Sequence, residues 1–264
     1  MNRRFPREPL PFLSAPAPRL PRRPPLTLHL VLASSGVTYL AALLAADHFA
    51  SFHEQLALGA LTCVVFLAAL VRFPRERRAQ ALGVVCFATV AEFTGSILWG
   101  VYHYRLHNLP AFVPPAHGLV YLTGLSLAAV VRRHARALVA VAAATAATWG
   151  VLGLTVLQRR DVAGAVGVPL LLLFLWRSRN RSIYAAVFLV VTALELYGTA
   201  LGTWRWAPTL PGLGISDGNP PSGVASGYVW FDVMAMLVAP AFLAAVRRAR
   251  PPVAQPVRAS GPAR

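Results

Sequence analysis

Three carboxylates interrupt long apolar runs in this chain: Glu92, Glu195 and Asp232. Ionisable groups buried in such runs are costly and usually functional. At about 1.5 Å per helical residue, Glu92 lies roughly 13 Å, Glu195 roughly 10 Å and Asp232 roughly 12 Å from one side of the hydrocarbon. Three acids at one depth on three separate helices suggest a shared polar pocket. There, repulsion in a low dielectric would leave one acid protonated beside an ionised base. Such a pair can give a proton to a substrate and take one from water. The competing reading is structural, with each carboxyl capping a neighbouring helix or pairing with Arg105 or Arg205.

Two of these acids head similar stretches. The first reads Glu92-Phe-Thr-Gly95-Ser96, then Gly100-Val-Tyr102-His-Tyr104, then Pro114-Pro115-Ala-His117-Gly118 with Tyr121 beyond. The second reads Glu195-Leu-Tyr-Gly198-Thr199, then Gly202-Thr-Trp204-Arg-Trp206, then Pro220-Pro221-Ser-Gly223 with Tyr228 beyond. One extra residue precedes the aromatic pair in the first copy. The glycines are read as points of close helix approach in lipid. The aromatics are read as an interfacial belt, and Pro-Pro as a helix start. The repeat motifs at 92–121 and 195–228 suggest two parallel four-helix halves related by an axis along the membrane normal.

The elements that must carry these residues are membrane helices. Apolar segments of suitable length recur at 28–46, 56–71, 79–101, 115–131, 137–157, 161–176, 183–202 and 224–246. The second and sixth are short, so the count is seven or eight. The chain of 264 residues is 56% hydrophobic and 13% charged, with mean hydropathy +0.57. A soluble domain carries roughly 25% charged residues, so the expected fold is an all-α, polytopic helical bundle over 28–246. All 25 basic residues are arginines, and 21 of them precede the first span, follow the last, or lie in the 2–3, 4–5 and 6–7 connections. Only Arg105, Arg159, Arg160 and Arg205 fall on the other side. The positive-inside rule then places both termini in the cytoplasm and the protein in the cell's inner membrane. A net charge of +16 would otherwise suggest nucleic acid, but these arginines flank apolar helices and read as topology signals. Residues 1–27, rich in proline and arginine, and 247–264 are expected to form disordered cytoplasmic tails. Cys63 and Cys86 lie within apolar runs and suggest no disulfide.

Five histidines cluster on the arginine-poor side. His103 and His107 have a spacing that a metal could use, and Asp47, His48, His53 and Glu54 add potential ligands. The segment after His107 reads as a loop, however, and no dense histidine box is present, so no metal is expected. His117, just after Pro-Pro, is the histidine expected to enter the pocket. Phosphate loops, nucleophile elbows and His-Glu-x-x-His are absent, and no strand is expected anywhere.

On Glu92-x-x-Gly95 with Gly100-x-Tyr102-x-Tyr104 and Val113-Pro114, and on Leu194-Glu195 with Gly202-x-Trp204-x-Trp206 and Asn219, the chain resembles the membrane carotenoid-biosynthesis proteins typified by carotenoid 1,2-hydratases and bisanhydrobacterioruberin hydratases. It departs from them in a shorter first motif, in Glu195 where aspartate is expected, and in Pro220-Pro221-Ser222-Gly223 after Asn219. The resemblance implies a hydro-lyase without a cofactor, acting on a carotenoid or another polyisoprenoid. Glu92 and Glu195 would then be the acid/base pair with Asp232 in support. Tyr102, Tyr104, Trp204 and Trp206 would stabilise a carbocation, with His117 and Asn219 binding substrate. The alternative is a small transporter or lipid-binding membrane protein using the same carboxylates.

Overall fold

The computed structural model describes residues 25–249. The tails expected at 1–27 and 247–264 lie outside the described residues, apart from their inner edges. Eight helices follow one another: α1 (Leu26–Phe49), α2 (Phe52–Leu70), α3 (Arg75–Glu92), α4 (Val113–Val130), α5 (Ala135–Thr155), α6 (Val162–Arg177), α7 (Arg181–Leu201) and α8 (Val224–Arg248). Seven helical segments are long and apolar enough to cross a membrane, while α6 has only 16 residues. Large apolar side chains such as Leu30, Val64, Val90, Val166 and Phe242 are exposed around the bundle. In water such a surface would aggregate; against lipid chains it is the stable exterior. The chain is a multi-pass integral membrane protein with an all-α fold.

Helix boundaries differ from the hydropathy limits because a helix outlasts its apolar stretch. α3 starts at Arg75 rather than 79, with Arg75–Arg78 as its first turn. α4 and α7 form the centre, with 67% and 56% of their spans buried against 33% or less for every other spanning helix. Small residues permit this close packing. A Cβ on Gly118 of α4 would strike the Phe66 ring of α2, and one on Gly124 would strike Val187 of α7. Without a hydrophobic drive in lipid, such contacts hold helices together by dispersion.

One expectation fails outright: the chain does contain strand. β1 (Tyr102–Tyr104) and β2 (Trp204–Trp206) pair antiparallel, Tyr102 opposite Trp206, His103 opposite Arg205 and Tyr104 opposite Trp204. Three residues are too few to show a period of two in sequence, and the partner lies a hundred residues away. The aromatic-x-aromatic segments are therefore a ribbon that closes the arginine-poor end of the bundle. Tyr102 and Tyr104 are buried, whereas His103 and Arg205 are exposed.

Candidate active site

The two motif copies build the site from below. Past Glu92, α3 continues as a π-helical segment, Phe93–Trp99, which ends at Gly100 with φ 75°. α7 ends without such a turn at Gly202, also with φ 75°. Both glycines occupy the left-handed region that a helix stop requires and a side chain disfavours. The extra residue of the first copy is absorbed by the π turn, the usual accommodation of a one-residue insertion in a helix. As a result Tyr102, ten residues after Glu92, and Trp204, nine after Glu195, both turn back onto the glutamate of their own copy.

The template glycines acquire a different role from the expected one. A Cβ on Gly95 would lie 3.0 Å from the Tyr102 ring, and one on Gly198 would collide with the Trp204 ring. Each glycine seats the aromatic that reaches its glutamate; neither serves helix–helix approach. The second Pro-Pro also differs from expectation. Pro114 and Pro115 lie in the first turn of α4, but Pro220 and Pro221 stop short of α8, which begins at Val224.

Hydrogen bonding around the two acids is unequal. Glu92 Oε2 accepts the Tyr102 hydroxyl at 2.5 Å and the Tyr104 hydroxyl at 2.6 Å. Its Oε1 lies 3.2 Å from His117 Nε2, at ion-pair distance though outside hydrogen-bond geometry. The other ring nitrogen, Nδ1, lies 2.9 Å from the Val113 carbonyl and must donate to it. With Nδ1 protonated, Nε2 can face a carboxylate favourably only if the pair holds a further proton. That pair is either imidazolium with carboxylate or imidazole with carboxylic acid. Glu195 Oε2 accepts the Trp204 indole N–H at 2.9 Å, and its Oε1 lies 3.5 Å from the Tyr228 hydroxyl. The Tyr228 ring stacks on His117 at 4.9 Å and 10°.

Both glutamates line one cavity of about 290 Å³ between the ribbon and helices α1, α3, α4, α7 and α8. His117, Tyr102, Tyr104, Trp204 and Trp206 also line it, and Leu40, Leu43, Leu194 and Phe231 supply apolar wall. Burial and then the adjacent Glu92 carboxylate push the Tyr102 and Tyr104 phenols up, so both remain hydroxyl donors at any physiological pH. Trp206 lines the cavity as well, and its Nε1 is buried with no hydrogen-bond partner within full geometry among the described residues.

Two expected site residues lie elsewhere. Asp232 is buried at 1% exposure but does not line the cavity. It lies one turn beyond Tyr228 on the same face of α8, where Ala235 in turn packs against Gly83 of α3. That extra turn along the helix, rather than the helix face, takes Asp232 past the cavity and away from the two glutamates. Its Oδ2 has no hydrogen-bond partner among the described residues. Asn219 does not line the cavity either; its Oδ1 accepts the Trp206 backbone N–H at 2.9 Å and so positions β2.

The arginine-pairing alternative finds no support. Arg105 donates to the Asp47 and Ala50 carbonyls, and among the described residues His117–Glu92 is the one ion pair. Of the potential metal ligands, Glu54 caps α2 with Ser51, Asp47 accepts from Gln55, and His48 Nδ1 meets the Leu201 carbonyl at 2.7 Å. Sequence reading passed over Tyr228 as a site residue, although it ended the second motif copy. It also passed over Asp161, which caps α6 at Gly164 and accepts the backbone N–H groups of Gly218 and Ser222, tying the 202–223 connection down. An aspartate just before an apolar helix is a cap signal visible in sequence; its second set of partners is not. No protein-family model, curated protein or solved structure matches this chain.

Proposed function

We propose that this protein is a hydratase-like intramembrane enzyme that adds water to a terminal double bond of a carotenoid or another polyisoprenoid. The observation that carries this reading is the 3.2 Å approach of Glu92 Oε1 to His117 Nε2 at the edge of an apolar, aromatic-walled cavity. Protonating a trisubstituted alkene needs a strong acid shielded from water, and the resulting tertiary cation needs π faces beside it. The Glu92–His117 pair gives its proton to the alkene carbon. Tyr102, Tyr228 and Trp206 flank the cation that forms. Glu195 takes a proton from the water whose oxygen bonds to that cation, and returning it to the pair restores the start. The net change is addition of one water.

The cavity volume of about 290 Å³ equals roughly ten waters at about 30 Å³ each. It holds the end of a long isoprenoid, with the remainder in lipid. The matching geometry of the two copies supports a 4+4 parallel repeat, because antiparallel pairing of β1 with β2 centred on His103 and Arg205 is what a two-fold axis along the membrane normal produces. With the positive-inside rule, the cavity then opens in the outer leaflet of the inner membrane and both termini are cytoplasmic.

Glu92→Gln and Glu195→Gln should each lower hydration of an acyclic carotenoid by about 10²–10⁴-fold, the usual worth of a general acid or base, while the protein stays folded in the membrane. Full turnover in either variant would remove the acid/base assignment. A second reading, proton-coupled transport, draws on Asp232 one turn deeper, whose Oδ2 has no partner among the described residues. Pigment chemistry in a deletion strain separates the two: accumulated unhydrated isoprenoid marks the enzyme, and unchanged lipids with altered solute uptake mark the transporter.

A further inference from the structure

A second cavity, of about 740 Å³, opens at the opposite, arginine-rich end of the bundle. Its rim carries Arg77 at the start of α3, Arg132, Arg133 and His134 between α4 and α5, and His29 of α1. Among the described residues no carboxylate lines it and none of these arginines is ion-paired, with Arg77 donating one N–H to Gln80 at 2.9 Å and the others bound to no side chain. Ser182 and Ile183, in the first turn of the 21-residue helix α7, complete the rim and add the positive end of that helix. The other walls are apolar: Leu26, Phe73, Leu125, Ala129 and Val130.

We propose that this cavity seats the phosphate and glycerol region of an anionic phospholipid. Three arginines and a helix N-terminus around one space call for a multivalent anion. The apolar half of the lining selects a lipid over free phosphate, which would leave those side chains facing water. The position suits the assignment, since the cavity lies where helices leave the apolar belt and basic pockets between helices hold anionic headgroups. This site is separate from the glutamate cavity and does not depend on the hydratase reading.

The test is native mass spectrometry of the full chain, released from detergent after exposure to phosphatidylglycerol, phosphatidylcholine or inorganic phosphate. Phosphatidylglycerol should be retained in preference to phosphatidylcholine and should not be displaced by inorganic phosphate at equal concentration. Each rim arginine contributes roughly fivefold, so Arg132→Gln with Arg133→Gln should lower retention roughly 25-fold. Ala129→Trp, which fills the cavity and keeps every charge, should lower it as well. If both variants misfold, the wild-type protein still decides: its melting temperature should rise with phosphatidylglycerol concentration and not with phosphatidylcholine. Equal retention of the two lipids, undiminished retention in both folded variants, or displacement by inorganic phosphate overturns the proposal.

Discussion

The two glutamate motifs share a backbone plan and differ in the partners they give their carboxyl groups. Around Glu92, two tyrosine hydroxyls occupy one oxygen and a histidine faces the other. Around Glu195, an indole N–H occupies one oxygen and the second keeps only the Tyr228 hydroxyl at 3.5 Å. Tyrosine and histidine can relay or hold a proton; an indole at physiological pH only donates a hydrogen bond. The same template therefore surrounds one glutamate with two hydroxyls and an imidazole and leaves the other with a single close donor. The aromatic-x-aromatic pair supplies part of this difference, tyrosine hydroxyls against an indole N–H, and His117 of α4 supplies the rest, while the glycine and the helix end fix the position of the pair.

The comparison can be broken most severely at the π turn. Inserting an alanine after Leu98, which is 68% exposed, adds a second extra residue to a turn that already absorbs one. Tyr102 then reaches Glu92 in the wrong register, and turnover should fall roughly 100-fold, as displaced catalytic groups do, with helix content by circular dichroism unchanged. Wild-type turnover in the insertion variant would mean that the π turn does not set the geometry.

Next come the tyrosines. Tyr102→Phe and Tyr104→Phe each remove a hydrogen bond to Glu92, worth about 1.5–3 kcal/mol when one partner is charged. Both should lower turnover more than Trp204→Phe does. The reverse ranking in a side-by-side assay would contradict the division of roles. A smaller effect separates the glycines. Gly198→Ala, which drives a methyl into the Trp204 ring, should cost about 1–3 kcal/mol as an overpacked site. Gly95→Ala meets the Tyr102 ring at 3.0 Å and should cost less. Thermal unfolding in detergent would show both.

The smallest effect concerns the connection that holds β2. Burial, then repulsion from Asp161, pushes the Asp217 carboxyl up to about 7 against the pull of Arg159. A folded value above the unfolded one means that this contribution is whole below about pH 4 and is lost as pH rises through about 7. Hydrogen exchange over 216–222, corrected for its intrinsic rate, should quicken across that range, and Asp217→Asn should flatten the dependence. No change with pH in the wild-type protein would leave Asp217 without this role.

Much of the fold is legible in sequence because lipid imposes a one-dimensional rule: a run of apolar residues long enough to span must be helical. All eight helices lie where the apolar runs place them. Glu92, Glu195, Tyr102, Tyr104, His117, Trp204 and Trp206 could be picked out because polar and aromatic groups near helix ends stand out against that background. Asp232 stood out equally but lies one turn beyond the cavity, on the helix face that carries Tyr228. Asn219 belongs to the same motif yet braces a strand. The ribbon and the π turn left no periodic trace, since each is shorter than the window that a pattern needs.

Composition and apolar spacing by themselves determined a membrane bundle, the segments that cross and the acids they carry, because hydrocarbon solvation acts on each segment separately. The tertiary structure alone decided that two of the three acids share a cavity, that β1 and β2 close it, and that His117 and Tyr228 stack at its wall. Those outcomes depend on helix rotation and on pairing across a hundred residues. Both are set by side-chain packing between segments, which no single segment encodes.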